Sequence, residues 1–164
     1  MESKPILIFP WAKRLRKEPF QHNPKDYNAW PELVRLLREE GFKTIQISLP
    51  GEEEIGADEL ITGKSLKEIS EMIKDSQTVI TIDSFANHLC WNLKKRAVVL
   101  FSQSDPRIYG HDSNMNLLKD RKYLRQGYKQ FDTWESAEYL AEAFMSPKEV
   151  VEKMKKAGLL NIQV

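Results

Sequence analysis

The feature that most restricts this chain is an alternation. Short strand-like runs at residues 6–9, 43–49, 78–82 and 97–101 are separated by stretches whose apolar residues recur every three to four positions. A period of two marks strands and a period near 3.6 marks helices. Residues 6–9 and 97–101 are apolar throughout, as strands buried on both faces must be. Residues 78–82 are rich in β-branched side chains, which pack well on a pleated surface. Residues 43–49 alternate, with Ile45, Ile47 and Leu49 on one face. A helix is expected over residues 27–40, with Trp30, Leu33, Val34, Leu36 and Leu37 as its apolar stripe and Gly41 as its stop. A second follows Ser65, an N-cap whose capping box Glu68 completes, with Leu66, Ile69 and Ile73 facing inward. A third spans residues 85–93. Residues 58–62 read as a short strand or turn, residues 102–121 as a long polar loop, and residues 134–144 and 147–157 as closing helices. Strands alternating with helices build a mostly parallel sheet with helices on both faces. Right-handed crossovers make it Rossmann-like. The expected class is α/β: a single Rossmann-like domain over residues 1–164.

Charge narrows the partners. With 25 basic and 24 acidic side chains the net charge is +1, which does not favour a large nucleic-acid or membrane surface, without excluding a local basic patch. No apolar run is long enough to span a bilayer, and the run at residues 6–9 is too short for a signal peptide. A lone cysteine, Cys90, forms no internal disulfide and reads as a small core residue. The expected location is the cytoplasm.

In parallel α/β sheets, ligands bind at the carboxyl ends of the strands. Those ends carry most of the chain's polar chemistry. Asp83-Ser84-Phe85-Ala86-Asn87-His88 joins a buried strand to a helix. The first N–H groups of a helix lack intrahelical acceptors and suit a phosphate. Ser84 can cap the helix or bond a phosphate oxygen, Asp83 can accept from sugar hydroxyls, and His88 shares a helix face with Ser84. The plainer alternative is that Asp83 and Ser84 only cap the helix. The loop after the first strand offers Lys13, Arg14, Arg16 and Lys17 to neutralise a diphosphate, or simply to face water. Among Glu52, Glu53 and Glu54 one carboxylate can meet ribose hydroxyls. Lys64, Ser65 and Leu66 precede a helix and can border a base, although turn chemistry explains them as well. Ser104 and Asp105 lie in a strand-end loop that either lines the pocket or only turns the chain. Trp11 is the tryptophan placed to meet a ligand, whereas Trp30, Trp91 and Trp134 read as core. His22, His88 and His111 are far apart and no CxxC exists, so no metal site is expected. GxGxxG, P-loop and GxSxG signatures are absent.

The segments 63–66, 79–88 and 98–106, in that order, resemble the C-terminal half of the heptosyltransferase-like glycosyltransferases, glycosyltransferase family 9. That family carries an Asp-Ser/Thr-Gly-x-x-His motif followed by an apolar strand and a polar loop. The resemblance implies a GT-B nucleotide-sugar-binding domain. In it Lys17 looks like the phosphate-binding lysine, with Lys13, Arg14 and Arg16 as competitors. One of Glu52 to Glu54 looks like the ribose ligand, and Lys64, Ser65 and Leu66 like the base-adjacent segment. Asp83, Ser84 and His88 match the donor-site motif, with Asp83 and His88 as the catalytic candidates. The implied ligand is a nucleotide-diphosphate sugar, an ADP-sugar by resemblance, with no cofactor or metal required. Phe85 stands where the family usually has glycine, and Ser102-Gln103 replaces Gly-Pro. At 164 residues the chain holds one half of such an enzyme, so a homodimer or a separate acceptor-domain partner is expected to complete the cleft. The alternative is a non-catalytic nucleotide-binding module: a sensor, scavenger or accessory subunit.

Overall fold

The computed structural model describes residues 3–13 and 23–161. Six strands, β1 (Ile6–Phe9), β2 (Thr44–Ile47), β3 (Glu59–Ile61), β4 (Thr78–Ile82), β5 (Ala97–Phe101) and β6 (Met115–Leu118), form one sheet in the order β3-β2-β1-β4-β5-β6. Every pairing is parallel. The helices are α1 (Trp30–Glu39), α2 (Leu66–Asp75), α3 (Phe85–Asn92), the short α4 (Pro106–Tyr109) and α5 (Pro147–Lys156).

Alternation along the strands divides the core in two. Ile6, Ile8, Ile80, Ile82, Val98 and Leu100 pack with Trp30 and Leu33 of α1 and with Val150 and Met154 of α5. Leu7, Phe9, Val79, Val99 and Phe101 point the other way, onto Ile73 of α2 and onto Ala86 and Cys90 of α3. Each fully buried aliphatic side chain contributes about 1.5–3 kcal/mol of transfer free energy. Both faces being covered explains why β1 and β5 carry no polar residue. Cys90 is buried, and burial pushes its thiol up to about 12.

The alternating α/β plan, the two-sided helix packing and the all-parallel sheet agree with the sequence reading. Four local expectations are corrected. Residues 134–144 form no α-helix; they make two 3₁₀ turns, Trp134–Ser136 and Ala141–Ala143. Their carbonyls are claimed from elsewhere in the fold, Glu138 by the Gln103 amide at 2.7 Å and Ala141 by the Asn28 amide at 3.2 Å. Tertiary bonds thus override a helix-favouring composition. The polar loop expected over residues 102–121 contains α4 and the edge strand β6. Strand β2 stops at Ile47, leaving Leu49 exposed rather than inward, and Leu66 at the start of α2 is exposed too. Of the three tryptophans read as core, only Trp30 is buried. Trp91 is exposed against His111, and Trp134 lies on a surface cleft.

Candidate functional site

The connections run outward in opposite directions from the middle of the sheet. From β1 the chain proceeds to β2 and β3, and from β4 it proceeds to β5 and β6. The loops leaving the adjacent β1 and β4 therefore part company, and a crevice opens between them. The two strands end level, with Phe9 opposite Thr81, whose hydroxyl donates to the Phe9 carbonyl at 2.9 Å. Here lies a cleft of about 1230 Å³. Its walls include Trp11 and Lys13 after β1, Glu52 after β2, Lys64 after β3, and Asp83, Ser84 and Phe85 after β4.

Ser84 occupies the N-cap position of α3, yet its side chain does not cap the helix. Its hydroxyl pairs instead with Thr81 Oγ1 at 3.1 Å. Among the described residues the first N–H groups of α3 thus lack a side-chain acceptor at the positive end of the helix, the usual seat of an anion. Phe85, 55% exposed, lines the cleft and meets the Phe9 ring edge-on at 5.8 Å.

Asp83 is 5% exposed, and Lys25 Nζ stands 3.0 Å from its Oδ2, with the Lys25 side chain 17% exposed. That oxygen accepts no well-aligned hydrogen bond among the described residues, so the ammonium acts on it as a charge. The same ammonium lies 4.9 Å from the Trp134 ring and 5.6 Å from that of Tyr109. Burial, then the charge on Asp83, holds the Tyr109 phenol above its ordinary value. Asp26 fixes the base of this loop. Its carboxylate accepts from Ala12 N at 2.9 Å and Asn23 N at 3.1 Å, while the Asn23 amide donates to the Lys13 carbonyl at 2.9 Å. Lys13 and Lys25 are brought to one cleft by these bonds. Arg14, Arg16 and Lys17 lie outside the described residues.

Trp11 Nε1 donates to the Glu53 carbonyl at 2.8 Å, which ties the loop after β1 to the loop after β2. Gln46 reinforces the tie, donating to the same carbonyl at 2.8 Å and accepting from Ile55 N at 2.9 Å. Glu52 faces the cleft but its carboxylate accepts from Leu49 N at 2.7 Å, while Glu53 takes part through its backbone. Lys64 lines the cleft 3.5 Å from Glu68. Ser65 and Glu68 form the expected capping box, and hydrogen bonds from Ser65 hold the Glu68 carboxyl below its ordinary value. Ser65 and Leu66 are not part of the cleft lining.

The remaining candidates sit apart from it. Ser104 is buried. Asp105 caps α4 and pairs with Arg121 at 2.8 Å, and the hydrogen-bonded guanidinium keeps its carboxyl below the usual range. His88 is exposed, with Nδ1 2.8 Å from His111 Nε2, and His111 stacks on Trp91 at 4.6 Å. Burial, then the neighbouring His88, lowers the pKa of His111.

Sequence reasoning passed over Lys25 and the wall formed by Thr133, Trp134 and Glu135. Lys25 had a usable signal, the turn-forming Asn23-Pro24 pair that stands before it. The wall had none, since it reaches β4 from fifty residues away. Among the described residues no three His, Cys, Asp or Glu side chains gather to hold a metal ion.

Residues 2–130 match the family described as glycosyltransferase family 9 (heptosyltransferase). The architecture resembles a glycosyl transferase family 9 structure from Veillonella parvula DSM 2008, with a TM-score of 0.69 and 17% identity over 98% of this chain and 47% of that one. It also resembles the E. coli heptosyltransferase WaaC with ADP, with a TM-score of 0.65 and 14% identity over 94% and 44% of the two chains. E. coli ADP-heptose lps heptosyltransferase II gives 0.64 and 16% over 98% and 47%. The chain thus spans less than half the length of these solved proteins, the extent expected of one half. No curated protein matches it.

Proposed function

The chain belongs to glycosyltransferase family 9, and from that premise we propose that its cleft binds a nucleotide-diphosphate sugar, an ADP-sugar first among them. One observation carries the reading: Ser84 leaves the N-terminus of α3 without a side-chain cap among the described residues, and that end lies at the sheet's switch point beside two lysines. The diphosphate lies on the α3 N–H groups and Ser84, with Lys13 and Lys25 offsetting its charge. Glu52 serves the ribose, Lys64 flanks the base, and Asp83 orients the sugar. In transfer, an acceptor hydroxyl oxygen bonds to the anomeric carbon and gives its proton to a base brought with the acceptor, while the bond from that carbon to the diphosphate oxygen breaks and those same donors stabilise the leaving charge without a metal being required. His88 takes part only after parting from His111. A second protomer or a separate partner brings the acceptor.

A second reading has its own support. Asp83 is nearly buried and already paired with Lys25, and Phe85 projects at the helix start. Both features suit a module that captures a nucleotide without transferring sugar. Thermal shift with ADP, UDP, GDP and CMP and with their sugars separates the two. At 100 times its dissociation constant a ligand adds about 2.7 kcal/mol of stability. Sugar-dependent stabilisation that Asp83→Ala abolishes supports transfer. Equal stabilisation by the free diphosphate, without turnover, supports the module. No response to any nucleotide refutes both, and unchanged affinity in Ser84→Ala removes Ser84 from the site.

A further inference from the structure

The Lys25 ammonium stands among the Asp83 carboxylate at 3.0 Å, the Trp134 ring at 4.9 Å and the Tyr109 ring at 5.6 Å. The carboxylate alone does not fix its direction, because Asp83 Oδ2 accepts no well-aligned hydrogen bond among the described residues. A lysine ammonium is a compact charge on a flexible stem, and ordering that stem costs entropy. A cation within about 6 Å of a ring centroid is drawn to the ring face. The two rings therefore supply the direction that the ion pair lacks.

Both rings are themselves held. The Tyr109 hydroxyl donates to the Gln130 carbonyl, and the buried Gln130 amide donates to the carbonyls of Gln103 at 2.7 Å and Arg125 at 2.6 Å. The Arg125 guanidinium carbon lies 4.5 Å from the Trp134 ring centroid, and the same guanidinium donates to the Thr133 carbonyl at 3.3 Å. The Arg125 backbone N–H donates to the Gln103 carbonyl at 3.0 Å, which ties this segment to the loop after β5. The rings are thus placed by bonds made outside the loop that carries Lys25, and a ring so placed can order a side chain that its own loop leaves free.

We propose that Trp134 and Tyr109 are positioning residues that hold the Lys25 ammonium beside the phosphate bearing the sugar, so that the cleft selects a nucleoside diphosphate over a monophosphate. This rests on the nucleotide reading of the cleft. In that reading the sugar lies at Asp83, and the phosphate joined to it is the one within reach of the cation paired with Asp83. A monophosphate ends short of that point and gains nothing from Lys25. Trp134 and Tyr109 act through the lysine, so their removal weakens the diphosphate without disturbing how the rest of the nucleotide is held.

Titration calorimetry with ADP and with AMP tests this on the wild-type chain, Trp134→Leu, Trp134→Phe, Lys25→Met and the double variant Trp134→Leu/Lys25→Met. Trp134→Leu should weaken ADP about fivefold or more and AMP by less than about twofold, whereas Trp134→Phe, which keeps a ring, retains the ADP preference. Tyr109→Leu should act in the same direction. On the Lys25→Met background Trp134→Leu should change ADP affinity by less than about twofold, as two residues acting through one contact require. NMR checks the geometry without any nucleotide. The Lys25 ε-methylene signal, assigned by its loss in Lys25→Met, should lie upfield under the ring current and move downfield in Trp134→Leu. Equal weakening of ADP and AMP, additive losses, or a methylene signal that Trp134→Leu does not move overturns the inference while nucleotide binding stands. A wild-type chain that binds neither ADP nor AMP refutes the nucleotide reading itself, and the selection with it.

Discussion

Replacing Lys25 by methionine isolates the charge that holds Asp83. The substitution keeps most of the side chain's length and packing while removing the ammonium 3.0 Å from Oδ2. Asp83 is then a carboxylate at 5% exposure whose Oδ2 has neither hydrogen bond nor counter-ion among the described residues. Removing one member of a fully buried pair costs about 3–5 kcal/mol, because the other charge is stranded. Lys25 keeps 17% exposure, so water reaches the outer side of the pair. Partial solvation lowers the expected loss to about 2–3 kcal/mol. In a chain of this size that corresponds to a melting point lowered by about 5–10 °C. Urea denaturation of Lys25→Met, Asp83→Asn and the double variant supplies the measurement. The double variant should be more stable than Lys25→Met, with a coupling energy of about 1 kcal/mol or more. Strict additivity, or a Lys25→Met variant as stable as the wild type, would refute the view that this pair holds the strand-end turn.

Ser65→Ala removes half of a capping box and should cost about 1 kcal/mol by denaturant midpoint. Because that hydroxyl is committed to the helix, ADP affinity in the same variant should stay within about twofold. His111 has a folded pKa below its ordinary 6.5, so the unfolded chain takes up that proton first. Stability should therefore fall as pH drops below about 6.5, and the fall should end once the folded histidine is protonated. His111→Asn should flatten the dependence in urea titrations, and an unaltered slope would show that another group causes it.

How much could be read from residues alone depended on how many constraints each segment carried. Strands β4 and β5 carry apolar or β-branched residues on both faces, and only a two-sided buried strand uses such a run. Ser65 and Glu68 spell a helix start in local hydrogen-bond chemistry. Met115–Leu118 offers no comparable signal, because β6 is an edge strand holding an asparagine and only one buried residue. Residues 134–144 misled for the opposite reason. Their composition favours a helix, while their conformation is set by Gln103 and Asn28, both distant in the chain. The position of the cleft followed from topology, which the alternation of elements conveys. Which cation reaches Asp83 did not, since charge is the same on every lysine of the loop and only the fold's closure at Asp26 selects Lys25.

The parting of the chain between β1 and β4 also has a consequence for how such a site can change. The crevice is a product of strand order, so it survives any substitution that leaves the six strands in place. Its chemistry resides instead in loops that add nothing to the sheet. New specificities can therefore arise there by exchanging side chains around the opening that hold no buried charge in place, while the helices and strands below keep their packing.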